Sequence, residues 1–95
     1  MEVCDVRFGK KKAVGMVIRL PEAPMVLALG VKGYVMCGYL NLDAAEKFRA
    51  VAAVVRGIRS VEDLLKGRVA AVTSRARRLG VVPGMSGRQA LKKFV

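Results

Sequence analysis

The stretch EVCDVRFGKKKAVGMVIRL, residues 2–20, decides the fold. Apolar side chains alternate along it with smaller or polar ones, and this period of two is typical of β-strands. The glycine and three lysines in the middle, Gly9–Lys12, interrupt the alternation and predict a turn. We therefore expect a β-hairpin made of residues 2–8 and 13–20. Each strand aligns apolar side chains on one face, namely Cys4, Val6 and Phe8 in the first and Val14, Met16, Ile18 and Leu20 in the second.

Three more predicted strands follow the hairpin, and helical segments appear after residue 40. Pro21 and Pro24 break the chain before a run that is apolar on both faces, which is typical of a central strand. The predicted strands cover residues 25–31, 34–40 and 52–58. The predicted helices begin at the capping residues Asn41 or Asp43, Ser60, Thr73 and Ser86. This order predicts a single α+β domain over residues 1–95, with a largely antiparallel sheet of about five strands and helices packed mainly on one face.

Two of the helices carry patterns that predict their contacts. Leu42, Ala45 and Phe48 fall on one face of the first helix, which we expect to face the core. Ser86 and Gln89 have the S-x-x-Q spacing of a capping box at the start of the last helix. The aromatic residues are spaced as core residues and predict no stacking platform for bases. These aromatics are Phe8, Tyr34, Tyr39, Phe48 and Phe94.

The residue types that the chain lacks exclude several kinds of chemistry. Without histidine there is no Ser-His-Asp or Cys-His catalytic pair, and two widely separated cysteines argue against a structural zinc site. Neither a phosphate-loop nor a dinucleotide-binding fingerprint occurs. We therefore predict no metal and no cofactor, and whether the protein is an enzyme stays open.

The composition also predicts location and self-association. The apolar stretch Ala23–Val31 is too short to cross about 30 Å of hydrocarbon, and the acidic start of the chain is unlike a signal peptide. We expect a cytoplasmic protein with reduced cysteines and no membrane contact. An apolar content of 54% predicts a homo-oligomer, with a dimer favoured, and scattered apolar surface is the alternative. Having Asn41 and Gln89 as its only side-chain amides indicates a thermophile.

Positive charge is the strongest signal in the sequence. Eighteen Lys and Arg against seven Asp and Glu give a net charge of +11, and no acid occurs from Arg68 to the end. Such a field attracts phosphate-bearing ligands or nucleic-acid backbones, and the alternative is a solvated basic surface. The candidate basic surface comprises Arg75, Arg77, Arg78, Lys92 and Lys93.

A more local candidate is the start of the last helix. The free N–H groups of a first turn favour an anion, and Arg88 offers a planar fork suited to phosphate. Gly87 lacks a side chain that could block the approach of a ligand. The alternative is that Ser86 and Gln89 simply cap the helix. The candidate anion-binding residues are Arg59, Ser60, Ser86, Gly87 and Arg88.

Cys37 is the candidate catalytic residue. It lies late in a predicted strand between Met36 and Gly38, and a glycine there lets a substrate approach the backbone. Arg59, if near in space, favours the thiolate form that acts as a nucleophile. The alternative is a buried thiol that packs as a small hydrophobe, and the absence of a histidine base favours it.

Three segments carry a family resemblance. Gly33–Leu40, GYVMCGYL, resembles GY-x-MCG-x-L, and Gly57–Leu65, GIRSVEDLL, resembles GVRTIDxLL. The stretch from Thr73 to Leu91, which ends in GMSGRQAL, resembles T-x-x-A-x-x-LG…GMSGREAL. These motifs, in this order, are similar to those of the YunC-like family, small bacterial and archaeal proteins described as a domain of unknown function. Gln89 stands where the family pattern has Glu, which removes a carboxylate. The resemblance implies an α+β fold and does not point to any particular activity.

Three functions stay open from the sequence. The leading hypothesis is a binding module for an anionic partner, either a phosphate-bearing ligand or a nucleic-acid backbone. The alternatives are an enzyme that uses Cys37 and a structural homo-oligomer subunit. In the enzyme hypothesis, substrate is positioned by Arg59 and Ser60 or by Ser86 and Arg88. Convergence of these residues on one cleft favours a site, whereas dispersal leaves only surface charge.

Overall fold

The computed structural model describes the whole chain, residues 1–95, as six strands and four helices. The strands are β1 (Glu2–Phe8), β2 (Lys11–Arg19), β3 (Pro24–Leu29), β4 (Tyr34–Met36), β5 (Ala52–Val55) and β6 (Val69–Val72). The helices are α1 (Leu42–Lys47), α2 (Val61–Lys66), α3 (Ser74–Arg78) and α4 (Gly87–Phe94). None of these helices has both the length and the apolar character that a membrane crossing needs.

The six strands form one sheet whose spatial order follows the sequence from β1 to β6. Neighbouring strands are antiparallel except β4 and β5, which are parallel because the chain crosses over through α1 between them. The predicted α+β class and the largely antiparallel sheet are confirmed. The sequence prediction misses β6, because the four residues of Val69–Val72 are too short a pattern to show a period.

One face of the sheet is covered by α2 and α4. Its centre is a row of small or β-branched residues aligned across four strands, namely Gly15, Ala28, Val35 and Ala53. Leu64 of α2 and Leu91 and Phe94 of α4 are fully buried in the same core cluster. Burial of each such side chain contributes about 1.5–3 kcal/mol to folding. The predicted core position of Phe94 is thereby confirmed.

The opposite face of the sheet is covered only at one end. There Ala45 of α1 packs against Met36 and Val54. No helix packs on this face over β1, β2 and most of β3, so helices lie mainly on one side. The uncovered side carries apolar side chains of β1, β2 and β3 that are exposed or half-exposed, namely Val3, Val14, Met16, Ile18, Leu27 and Leu29.

The end of α1 contradicts the predicted burial of Phe48. Asn41 caps the helix, its Oδ1 accepting from the Ala44 N–H at 3.1 Å, and Asp43 does not. The helix has six residues, and Phe48 at its C-cap is 84% exposed. Because the helix ends at Lys47, Phe48 lies in the turn that follows it and does not join Ala45 in the cluster with Met36 and Val54.

The packing of α4 on α2 requires a glycine at position 87. A Cβ on Gly87 would lie 1.9 Å from the carbonyl oxygen of Leu64, a backbone atom that can move only if α2 moves. The Gly87 N–H also donates to the carbonyl of Gly67 at 2.9 Å, which ties the same junction together. The missing side chain therefore serves helix packing.

We expect Gly87→Ala to lower the free energy of unfolding by about 2–4 kcal/mol, because the added methyl group forces α4 away from α2. Gly38→Ala is the matched control, since a Cβ there meets no atom within 4 Å. Its stability should stay within about 0.5 kcal/mol of the parent. Denaturant unfolding followed by circular dichroism measures both. Equal stability of the two variants would show that the junction tolerates a side chain.

Candidate functional site

The predicted site residues do not converge on one cleft, and those that line a cleft are divided among three. Cys37 and Arg59 line one cleft with a volume of about 400 Å³, here called the thiol cleft. Ser86 and Arg88 line another of about 610 Å³, here called the basic cleft. The thiol cleft is formed by Ala23, Pro24, Cys37, Gly38, Tyr39, Gly57, Ile58 and Arg59. The basic cleft is formed by Arg7, Phe8, Gly9, Ser86, Arg88, Gln89 and Lys92.

The thiol cleft lies at the carboxyl ends of the two parallel strands. Residues 37–39 follow β4, and residues 57–59 follow β5. Parallel strands end at the same edge of a sheet, and crevices outside their carboxyl ends are where open sheets commonly bind ligands. Two of the three segments that carry the family resemblance therefore meet at this cleft.

Cys37 is buried and held by backbone hydrogen bonds. Its Sγ accepts from the Val26 N–H at 3.2 Å, and its own N–H donates to the Val26 carbonyl at 3.1 Å. Among the residues that line the cleft, only Tyr39 and Arg59 carry another ionisable side chain. The cleft contains no histidine or carboxylate, the side chains that usually accept a thiol proton, so it offers no general base. This environment favours a packed thiol over a nucleophile.

The start of α2 is held by hydrogen bonds of the Asp63 carboxylate and the Ser60 hydroxyl. Asp63 accepts from the Arg59 N–H at 3.2 Å, and its own N–H donates to the Ser60 Oγ at 3.0 Å. The hydroxyl of Ser60 is therefore engaged as a helix cap. The side chain of Arg59 is exposed and joins none of the four ion pairs. Of the two predicted anion-binding residues here, Arg59 has the freer side chain.

N–H groups at the start of α4 are also engaged in hydrogen bonds within the protein. Ser86 and Gln89 form the predicted capping box, with Gln89 N–H donating to Ser86 Oγ at 3.1 Å and Ser86 N–H to Gln89 Oε1 at 2.8 Å. The Gly87 N–H donates to Gly67. These three N–H groups are not free for a ligand. The geometry favours the capping alternative for Ser86 and assigns Gly87 to packing, which leaves Arg88 as the candidate for anion contact.

The side chain of Arg88 makes two contacts at the basic cleft. Its guanidinium carbon lies 4.7 Å from the centre of the Phe8 ring, within the range of a cation–π contact. One of its N–H groups donates to the Arg7 carbonyl at 3.1 Å, which links α4 to β1. Lys92 lies one helical turn further along the same side of α4. No acidic residue lines this cleft.

The predicted basic surface is divided among several places. Arg75 and Arg78 line a separate cleft of about 410 Å³ with Glu46, Arg49 and Ser74, and this cleft shares no residue with the basic cleft. The Lys93 Nζ lies 3.7 Å from the Cβ position of Gly80, at the end of α3. Sequence analysis did not single out Arg49 or Arg7, because both precede the acid-free C-terminal third. Only tertiary packing brings them to these clefts.

The model of the DUF1805 family, described as a domain of unknown function, matches residues 36–94, more than half of the chain. The chain belongs to the DUF1805 family. It is 35% identical over 82 residues to the uncharacterized protein YunC of Bacillus subtilis strain 168, an alignment that covers 82% of this chain and 81% of YunC. The predicted YunC-like resemblance is thereby confirmed.

The fold is similar over nearly the whole of this chain to the crystal structure of a protein of unknown function from Thermoplasma acidophilum. The TM-score is 0.93 at 30% sequence identity, over 99% of this chain and 92% of that one. The family segment begins at residue 36, so it contains all of the thiol cleft except Ala23 and Pro24. The basic cleft instead joins the DUF1805 segment to Arg7, Phe8 and Gly9 of the N-terminal hairpin.

The two cysteines allow a test of Cys37 within one molecule, since Cys4 is exposed and Cys37 is buried. We expect a thiol reagent such as Ellman's reagent to modify Cys37 at least about tenfold more slowly than Cys4 in the native protein. Mass spectrometry of the parent and of Cys4→Ser separates the two rates. Faster reaction at Cys37 would contradict the packed-thiol interpretation and favour the nucleophile.

Proposed function

We propose that this DUF1805 protein is a binding module for a phosphate-bearing anionic partner and that the basic cleft receives it. One observation carries the proposal. The Arg88 guanidinium is held in place beside Lys92, in a cleft without an acidic lining residue. Both a small phosphate-bearing ligand and a nucleic-acid backbone offer the chemistry that this cleft matches.

The contacts of Arg88 prepare it for an anion. The Phe8 ring and the Arg7 carbonyl restrain the side chain, so little rotamer entropy remains to be lost on binding. A guanidinium carries five N–H donors in a planar fork, and the Arg7 carbonyl accepts only one bond. The remaining donors suit a phosphate oxygen pair. Lys92 adds a mobile point charge one turn away.

The surrounding charge supports the same partner class. A net charge of +11 attracts anions from a distance and speeds their encounter with the protein. Asp5 lies at the edge of this region, 3.7 Å from Arg7 and 3.6 Å from Lys12. These two cations are partly neutralised by it. The free positive charge of the cleft therefore comes mainly from Arg88 and Lys92 of α4.

The double variant Arg88→Gln/Lys92→Gln tests the proposal. We expect it to weaken binding of pyrophosphate or polyphosphate by at least about tenfold, because two phosphate contacts are lost. Isothermal titration calorimetry at about 50 mM salt measures the affinity, with a repeat at about 200 mM. Arg88→Lys keeps the charge but loses the planar fork, so it should give an intermediate affinity.

Lys66→Gln is the matched control for the single variant Lys92→Gln, since each removes one lysine charge. Lys66 is exposed on α2, lies outside the basic cleft and is paired with Glu62 at 2.7 Å. We expect it to change affinity by less than about twofold. An equal loss in Lys66→Gln would mean that the anions respond to overall charge and not to this cleft. The absence of binding by every phosphate probe at low salt would refute the proposal.

An enzyme that uses Cys37 is the second candidate, and one observation favours it. The thiol cleft places Cys37 and Arg59 at the carboxyl ends of parallel strands, with Gly38 open to solvent. The lack of a base in the lining residues ranks it below the binding module. The labelling rates of Cys37 and Cys4 test this candidate, because a catalytic thiol reacts faster than a packed one.

We also propose that the protein self-associates through the uncovered face of the sheet, with a dimer as the simplest assembly. Val3 is 58% exposed and Leu29 is 38% exposed on that face. Around them lie half-exposed apolar side chains of β2 and β3 without a covering helix. Contiguous apolar surface of this kind is typical of subunit contacts, and sheets commonly bury such faces against each other.

Charge placed on this face tests self-association. We expect the parent protein to elute as an oligomer and Val3→Lys/Leu29→Lys to elute as a monomer, because two lysines on an apolar contact must lose their hydration. Size-exclusion chromatography with light scattering gives the mass. Val82→Lys, at a residue 41% exposed in the connector before α4, is the control and should leave the assembly intact. A monomeric parent at high concentration would contradict the proposal.

A further inference from the structure

The most exposed aromatic side chain of the protein is Phe48. It is 84% exposed, whereas Tyr39 is 48% exposed and Phe94 is fully buried. A phenyl ring has no polar atom with which to bind water, so a partner that covers it gains the free energy of burying its apolar surface. Phe48 lines neither the thiol cleft nor the basic cleft.

The backbone holds Phe48 in a defined position. Residue Arg49 has a φ of 58°, in the left-handed region that normally favours glycine. Its N–H donates to the Glu46 carbonyl at 3.0 Å, and the Ala50 N–H donates to the Ala45 carbonyl at 2.9 Å. These two bonds form a Schellman motif, which ends the helix and fixes the residues on either side. The ring is therefore presented from an ordered turn.

Cations surround this turn. Lys47 and Arg49 flank Phe48 in the sequence, and Arg75 Nη1 donates to the Arg49 carbonyl at 3.4 Å. Arg49, Arg75 and Arg78 line the cleft of about 410 Å³ between α1 and α3. Arg49 and Arg75 also line a shallower cleft of about 360 Å³ that includes Lys32. We call this region, comprising Lys32, Lys47, Phe48, Arg49, Arg75 and Arg78, the Phe48 surface.

Glu46 is the only acid in these two clefts, and its carboxylate is already engaged. It accepts from the Ser74 N–H at 2.9 Å and from the Ser74 hydroxyl, and so caps α3. These hydrogen bonds, with a smaller contribution from Arg78, lower the pKa of Glu46 and keep it ionised at neutral pH. One engaged carboxylate against five cations leaves the Phe48 surface strongly positive.

We infer that the Phe48 surface binds single-stranded nucleic acid, with the Phe48 ring stacking on a base and the surrounding cations contacting phosphates. A flat exposed ring among cations matches what an unpaired strand offers, which is a π-face on every base and a charge on every phosphate. In a duplex the base faces are stacked on each other, so a single strand is the better match. The inference shares no residue with the basic cleft and stands independently of the proposed function.

Fluorescence anisotropy with a short labelled oligodeoxythymidine at about 50 mM salt tests the inference. We expect Phe48→Leu to weaken binding by about tenfold, because leucine keeps an apolar contact but cannot stack. Phe48→Trp should bind as well as the parent or better. Arg78→Gln should lower the slope of log K against log salt by about one, since one phosphate contact is lost.

A second measurement reports stacking directly. We expect the parent to change the fluorescence of an oligonucleotide that contains 2-aminopurine, and Phe48→Leu to leave it almost unchanged, because the signal depends on contact with the base. Arg88→Gln/Lys92→Gln is the matched control and should retain this signal, since it alters only the basic cleft. Because the ring is solvent-exposed, the Phe48 variants should unfold at the parent temperature, which circular dichroism verifies.

Several outcomes would overturn the inference. The inference is wrong if single strands do not bind at low salt, if Phe48→Leu binds them as tightly as the parent does, or if a duplex binds as tightly as the single strand. Phe48-dependent binding to anionic lipid vesicles without binding to oligonucleotides would assign the surface to a membrane instead. Loss of oligonucleotide binding in the control double variant alone would assign the contact to the basic cleft.

Discussion

The close approach of α4 to α2 at Gly87 is the constraint on which much of the structure depends. Because no side chain stands between the helix start and the Leu64 carbonyl, α4 lies directly against α2. It can then bury Leu91 and Phe94 over the sheet. The same orientation turns Arg88 outward to the Phe8 ring of β1, so the geometry of the basic cleft follows from the packing of the core.

The second organising feature is the change from antiparallel to parallel pairing between β4 and β5. The crossover through α1 puts the carboxyl ends of both strands at one edge, where the thiol cleft forms. It also places α1 on the opposite face from α2 and α4. Since α1 is short, it covers only part of that face and leaves the hairpin side apolar and uncovered. The crossover through α1 therefore accounts for the thiol cleft, the exposed Phe48 ring and the uncovered face of the sheet.

The sequence predicted the parts of the site that depend on neighbouring residues, and it failed where distant elements meet. The capping box of Ser86 and Gln89 was predicted because both partners lie within one turn. The meeting of Cys37 with Arg59 follows from strand pairing, which a sequence shows only indirectly. The outward position of Phe48 could not be predicted, because it depends on where α1 ends. Strand β6 was missed, since its four residues gain their strand character from pairing with β5.

By itself the sequence determined the α+β class, the starts of the four helices, the positive charge and the absence of histidine chemistry. These properties depend on composition and on short-range periodicity, which a linear chain carries in full. Tertiary structure alone decided that Cys37 and Arg59 line one cleft and Ser86 and Arg88 another, that Gly87 serves packing and that the basic residues are divided among separate places. The physical reason is that these properties are distances between elements far apart in sequence, and such distances are set by how the helices pack on the sheet.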